Sequence, residues 1–251
     1  MVRNLIFDMG GVVFDLGYEQ AVRRFEEIGV DDARTMLDAS IQTGIFGELE
    51  GGRISCEAFR RGLSAHVGRE LSLEQCDYAW KGYILDLPQR NLDKLLELRS
   101  RGYRLFLLSN TNPFITRWAH SPQFSLAATP AGMAALSVIP SSPDVCVPSD
   151  RSLSGPASSV CDSAAPLSDE TDAGRPMDDY FDRLYFSCDL RMMKPDPAIF
   201  QYVLDAEGLD PAETLFIDDS PRNIEAAARL GIRTMCPRNN ADWTGDIENY
   251  L

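Results

Sequence analysis

The stretch Leu5-Ile6-Phe7-Asp8-Met9-Gly10-Gly11-Val12-Val13-Phe14-Asp15 decides how the rest of the chain is read. Its opening apolar run has the character of a strand buried on both faces, and it stops at an aspartate followed by two glycines. In open α/β sheets ligands bind in the crevice beyond the carboxyl ends of the strands, and glycine lets the backbone turn tightly or approach a ligand closely. Taken alone, Asp8 fits a loop carboxylate or a helix cap better than a nucleophile. Its meaning depends on what the other strand ends carry.

After Asp15 the period changes from strand to helix. Ala21, Val22, Phe25, Ile28 and Val30 recur at helical spacing, and a second helical stretch runs over residues 32–41. Residues 46–55 read as a turn leading to an N-cap at Ser55, ahead of Phe59, Leu63 and Val67. Ser72 with Gln75 three residues on has the form of a capping box ahead of Trp80 and Tyr83. Four short helices with no strand among them predict a helical bundle over residues 16–86. From Pro88 onward helices alternate with strands, the latter at residues 104–108, 183–187, 214–217 and 234–236. The helices between them are marked by Leu92, Leu95 and Leu98, then fall at 197–207 and 223–230. This alternation predicts an α/β, doubly wound parallel sheet of Rossmann-like form built from residues 1–15 and 87–251, with the helical bundle inserted as a cap.

Residues 121–176 interrupt that order. They are dominated by Ser, Ala and Pro, with Ser141-Ser142-Pro143 and Ser154-Gly155-Pro156, and show no sustained period. Such a composition buries too little apolar surface to offset its ordering entropy, so the segment is expected to be a disordered surface insertion, with translated non-coding sequence as the alternative. Cys146 and Cys161 within it are expected to have no designed role.

Composition narrows the function classes. Hydrophobic residues at 44% and charged residues at 25% are those of a globular protein, which excludes general disorder. Asp+Glu 38 against Lys+Arg 24 gives a net charge of −14, which argues against nucleic-acid and anionic-membrane partners and favours a small molecule. The six cysteines form no C-x-x-C pair, so neither zinc nor a redox motif is indicated, and a reduced, cytoplasmic setting is expected. No signal-like segment or run of about 18 apolar residues is present. His66 and His120 have no partner pattern, and Trp80, Trp118 and Trp243 are expected to be packing residues.

Four strand ends carry polar groups: Asp8 after the first, Ser109-Asn110 after the second, Lys194-Pro195 shortly after the third and Asp218-Asp219 after the fourth. A parallel sheet brings all of them to one edge. Asp8, Asp218 and Asp219 cannot all stay ionised at close range without cations. Lys194 supplies one, and a hard divalent cation such as Mg²⁺, taken by carboxylates, waters and a substrate phosphate, supplies the rest. Ser109 could donate to phosphate oxygens, Lys194 could neutralise charge on a transferring group, and a carboxylate facing a phosphate is a plausible nucleophile. Each motif also has a bland reading. Ser109-Asn110-Thr111 fits a turn, and Lys194 with Pro195 fits a helix start. Asp218-Asp219-Ser220-Pro221 fits a helix N-terminus.

The order and spacing of Ile6-Phe7-Asp8-Met9-Gly10-Gly11-Val12, Leu107-Leu108-Ser109-Asn110-Thr111, Met193-Lys194-Pro195-Asp196 and Phe216-Ile217-Asp218-Asp219-Ser220 to Asn223 resemble the four motifs of the haloacid dehalogenase (HAD) superfamily. The resemblance is to its phosphatase branch with a small helical cap. It implies that Asp8 is the nucleophile and a Mg²⁺ ligand, with the Gly10 carbonyl, Asp218 and Asp219 completing the metal site. It further implies that Ser109 and Asn110 hold the phosphate, that Lys194 orients Asp8 and the phosphoryl group, and that Asn223 supports the site from behind. The opening motif and the cap stretch Gly51-Gly52-Arg53-Ile54-Ser55 look like those of phosphatases acting on glucose 1-phosphate. The implied activity is Mg²⁺-dependent hydrolysis of a small sugar phosphate through an aspartyl-phosphate. In one respect the chain departs from the commonest pattern: many members carry a second aspartate, the general acid and base, where this chain has Gly10. Asp15, a cap residue or metal-held water are candidates for that role. The competing readings are a catalytically weak binding or regulatory protein on the same fold, and a carbon–halogen hydrolase.

Overall fold

The structure, a computed structural model, describes residues 1–37, 43–139 and 174–251. Strand β1 (Asn4–Phe7) is buried along its whole length. A tight loop then leads to a two-residue strand, β2 (Asp15–Leu16), and into helix α1 (Tyr18–Glu27), which buries Ala21, Val22 and Phe25 on one face. Helices α2 (Ala33–Met36), α3 (Gly44–Glu50), α4 (Cys56–Val67) and α5 (Leu73–Trp80) follow. Ser55 caps α4 by accepting from the Ala58 N–H, and Ser72 and Gln75 form the capping box of α5. The segment closes with strand β3 (Ile84–Asp86), which pairs antiparallel with β2.

Two expectations for residues 16–86 are corrected here. Residues 44–50 are helical, not a turn: Phe46 and Leu49 point into an aromatic cluster where Phe46 stands 5.3 Å from Phe25, 5.2 Å from Phe59 and 5.6 Å from Trp80. That burial outweighs the poor helix propensity of Gly44 and Gly47. The region is also not free of strands, since β2 and β3 form a ribbon at its two ends, too short to leave a period in the sequence. The distal end of the helix expected over 32–41 lies outside the described residues.

The remaining chain alternates helix and strand. Helix α6 (Gln89–Ser100) leads to β4 (Arg104–Ser109), then come α7 (Pro113–Ala119), α8 (Gln123–Leu126) and α9 (Pro130–Ala135). Strand β5 (Arg183–Phe186) runs directly into α10 (Ser187–Leu190), followed by α11 (Pro197–Glu207), β6 (Thr214–Ile217), α12 (Pro221–Arg229) and β7 (Arg233–Met235). These five longer-range strands form one parallel sheet in the order β5-β4-β1-β6-β7. Side chains alternate strictly across it: Leu5, Phe7, Leu105, Leu107, Leu215 and Ile217 join the core shared with the cap, and Ile6, Phe106, Leu108 and Phe216 join the core under α11 and α12. Because β1 lies at the centre, the residue that follows it is flanked by the ends of β4 and β6. No helix among the described residues is long and apolar enough to cross a membrane.

The expected insertion over 121–176 is corrected at both ends. Residues 121–139 are folded, with α9 opened by Thr129, whose hydroxyl accepts from the Gly132 N–H, and by Pro130 in its first turn. Phe124 is fully buried between Trp118 at 5.2 Å and Tyr180 at 5.7 Å. The buried Arg24 of α1 donates to the Leu136 carbonyl at 2.7 Å and the Ser137 hydroxyl at 2.8 Å, fastening this segment to the cap. Residues 140–173, with Cys146 and Cys161, lie outside the described residues. Phe124→Ala is expected to lower unfolding free energy by about 3–5 kcal/mol, as read from urea melts, because it removes a ring from a closed core. An unchanged midpoint would mean that this segment does not belong to the core.

Candidate active site

The register of the sheet sets the site. Asp8 donates its N–H to the Ile217 carbonyl at 2.8 Å, and Asp218 donates to the Met235 carbonyl at 3.2 Å, so both continue the ladder past their strands. Ser109 is the last residue of β4. Lys194 reaches in from the connection between α10 and α11, with its Nζ 2.7 Å from Asp8 Oδ1 and 2.7 Å from Asp218 Oδ2. The side chains of Lys194 and Asp218 are 1% and 0% exposed, that of Asp8 13%. Asp218 is further held by the Ser220 N–H at 2.8 Å and by the Asn223 amide, 3.1 and 3.0 Å from its two oxygens. Asn110 accepts from the Lys194 N–H at 2.8 Å and donates to the Lys194 carbonyl at 2.8 Å.

These contacts differentiate the residues singled out in the sequence. Asp8, Gly10, Ser109, Asn110, Lys194, Asp219 and Asn223 border one cavity of about 330 Å³, at the lower end of the range for small-ligand sites. The Asn110 side chain is engaged with the lysine backbone, so within this geometry it positions Lys194. Asp218 does not border the cavity, but it offers an oxygen within 4.8 Å of those of Asp8 and Asp219, a grouping that could hold a metal ion. Asp15 stands in the ribbon opposite Asp86, away from the cavity lining. His66 pairs with Asp32 and His120 with Asp178, both outside it.

Electrostatics follow from that crowding. Burial pushes the Asp8 carboxyl above its ordinary range; Lys194 pulls it down, and the charges of Asp218 and Asp219 push it up again. Burial and then Asp218 raise Asp219 in the same way. For Lys194, burial acts to lower the ammonium, but Asp218 and Asp8 outweigh it and hold the proton in place.

Several residues to which the sequence assigned no place in the site belong here. Asn239, in the loop after β7, donates to Asp219 Oδ2 at 2.7 Å, and Gly11 (φ +79°) leaves room for that carboxylate, since a Cβ there would stand 2.7 Å from it. Trp80, which also packs in the cap, and Tyr83 border the cavity from above. So does Glu50, the last residue of α3 and 8% exposed, whose carboxyl burial alone raises to about 8. A signal for Glu50 was present: it shares the helical face of Phe46 and Leu49, where a solvated glutamate is out of place. The loop of Asn239 carries no period to reveal it.

The haloacid dehalogenase-like hydrolase family matches residues 153–231. The chain is 36% identical to the D-ribitol-5-phosphate phosphatase of Bacteroides thetaiotaomicron over 100% of its own length and 99% of that protein. It superposes on a predicted HAD-like family hydrolase of Porphyromonas gingivalis with a TM-score of 0.77 at 36% identity, covering 100% and 98% of the two chains. A HAD family enzyme of Bacteroides thetaiotaomicron, solved with magnesium and inorganic phosphate, aligns with a TM-score of 0.72 at 31% identity over 98% of each chain. The chain belongs to the haloacid dehalogenase-like hydrolases.

Glu50 provides a test of the burial inferred for the cavity roof. Its carboxyl stands at about 8 in the folded protein against an ordinary 4.5, so the folded state holds this proton more tightly than the unfolded chain. Stability linked to it is therefore fully present below about pH 4.5 and is lost as the pH rises to about 8. Glu50→Gln, neutral throughout, should gain unfolding free energy relative to wild type between those limits, by about 1.4 kcal/mol per unit where the shift is fully expressed. Urea melts in a pH series measure it, and parallel curves for the two proteins would refute the burial.

Proposed function

We propose that this hydrolase is a Mg²⁺-dependent phosphomonoesterase acting on a small sugar or polyol phosphate, with Asp8 as nucleophile. The observation that carries the reading is the Lys194 ammonium held 2.7 Å from both Asp8 and Asp218, beside a cavity that Asp8 borders. The donor set fits the cation: Asp8, Asp218 and Asp219 offer hard carboxylate oxygens within 4.8 Å of one another, and Gly10 borders the same space with its backbone. When bound, Mg²⁺ neutralises the carboxylates and draws charge from the phosphoryl oxygens.

The chain's own residues divide the remaining work. Lys194 fixes the rotation of the Asp8 carboxylate and neutralises charge near the phosphoryl group. Ser109, at the end of β4, borders the cavity and would turn its hydroxyl to a phosphoryl oxygen. Asn110 holds the lysine backbone, and Asn223 with the Ser220 N–H holds Asp218 against it. An Asp8 oxygen attacks phosphorus as the ester P–O bond breaks, giving an aspartyl-phosphate that water then hydrolyses. The whole-length similarity to a D-ribitol-5-phosphate phosphatase and the small cavity support a polyol or sugar phosphate as substrate.

Phosphate release is the test, with ribitol 5-phosphate, glucose 1-phosphate and p-nitrophenyl phosphate as substrates. Activity should require Mg²⁺, disappear with chelator, and fall at least about 10³-fold in Asp8→Asn. No halide should be released from 2-haloacids. Full activity in chelator, or in Asp8→Asn, contradicts the assignment.

A further inference from the structure

A sugar or polyol oxygen is a poor leaving group unless a proton reaches it as its bond to phosphorus breaks. Residue 10 cannot supply that proton, since it has no side chain, and its surroundings are apolar: a Cβ there would stand 2.8 Å from Leu16 Cδ1 and 3.7 Å from Phe14 Cζ. Asp15 stands in the ribbon opposite Asp86 and does not border the cavity. Among the described residues bordering the cavity, only Asp8, Asp219 and Glu50 carry carboxyls, and the first two belong to the cation cluster.

Glu50 is also held in place from the core. Its carbonyl accepts a hydrogen bond from Ser187 Oγ at 2.7 Å, and that hydroxyl accepts from the Thr111 N–H at 2.9 Å, two residues beyond Ser109. Two residues after Glu50, the backbone at Gly52 lies so close to α10 that a Cβ would stand 2.0 Å from the Cys188 carbonyl oxygen. The end of α3 is thereby fixed against the loop that follows Ser109. Among the described residues no side chain pairs with the Glu50 carboxyl, and burial keeps it protonated at neutral pH, the state a donor needs.

From this arrangement, and on the reading of Asp8 as nucleophile, we infer that Glu50 is the general acid and base of the reaction. In the first half, the Asp8 oxygen forms its bond to phosphorus, the ester P–O bond breaks, and the electron pair left on the ester oxygen takes the Glu50 proton. The products are a free alcohol, phosphorylated Asp8 and a Glu50 carboxylate. In the second half, water attacks phosphorus and gives a proton to Glu50, the bond between Asp8 and phosphorus breaks, and phosphate leaves. Both carboxyl groups return to their starting states.

Rapid-mixing kinetics of the Mg²⁺-loaded protein test this, with Glu50→Gln, Glu50→Asp and Asp8→Asn beside wild type. Nitrophenolate departs without a proton, so Glu50→Gln on p-nitrophenyl phosphate should give a burst of about one nitrophenolate per site, then turnover slowed about 10²–10⁴-fold as the phosphorylated protein accumulates. On ribitol 5-phosphate the same variant should show no burst and a comparable loss in kcat, with Glu50→Asp recovering part of it. Wild-type kcat on ribitol 5-phosphate in Glu50→Gln, a raised KM with unchanged kcat, or loss of the burst together with turnover would each overturn the inference. Should Glu50→Gln not fold, the same leaving-group contrast is read from Glu50→Asp, and its absence there has the same meaning. A wild-type protein inactive on every ester, or a burst that survives in Asp8→Asn, removes the Asp8 assignment and this inference with it. An active wild type matched by its Glu50 variants removes only the latter.

Discussion

The constraint on which this structure rests is a buried ammonium shared by two carboxylates. An unpaired lysine or aspartate at that depth would cost several kcal/mol, and removing one partner of such a group strands the others. The register of the sheet meets the requirement, because Phe7 is paired with Ile217 and the next residue of each strand is therefore Asp8 beside Asp218. Lys194 arrives from a different connection, and the two hydrogen bonds from Asn110 set its backbone relative to the end of β4. Strand pairing, not side-chain flexibility, thus determines where charge meets charge.

How much of this was legible in the sequence follows from the kind of signal each part leaves. Four of the five parallel strands could be read because they are largely apolar runs that lead to polar residues, β7 because it continues the alternation of helix and strand, and α4 and α5 because their caps are explicit. Helix α3 was missed because Gly44, Gly47, Gly51 and Gly52 resemble turn chemistry, while its stability comes from aromatic contacts remote in sequence. Composition misled at residues 121–139: serines and alanines obscure Phe124 and Leu136, yet those two side chains are buried and Arg24 hydrogen-bonds to the segment. Within the site, the residues carried by the four motifs were found, Lys194 on its connection among them, and those outside the motifs were not. Asn239 and Glu50 meet the cavity only through tertiary placement.

The cap therefore does more than cover the sheet. Its aromatic cluster of Phe25, Phe46, Phe59 and Trp80 gives α3 a rigid backing, with rings in mostly edge-to-face and tilted contacts. The far side of α1 is tied by Arg24 to residues 136 and 137, and the near side of α3 is tied by Ser187 to the loop after β4. A carboxyl presented at the end of such a helix has little freedom to wander.

Gly52 sets the scale of that arrangement. Where the cap meets α10 the two backbones touch, since the Cys188 carbonyl oxygen lies only 2.0 Å from the place where any other residue would carry its first side-chain carbon. The opposing group is main chain and cannot rotate away, so a larger residue would act as a shim and lift the roof of the cavity off its floor. The height of the cavity is in this sense gauged at one position that does not line it.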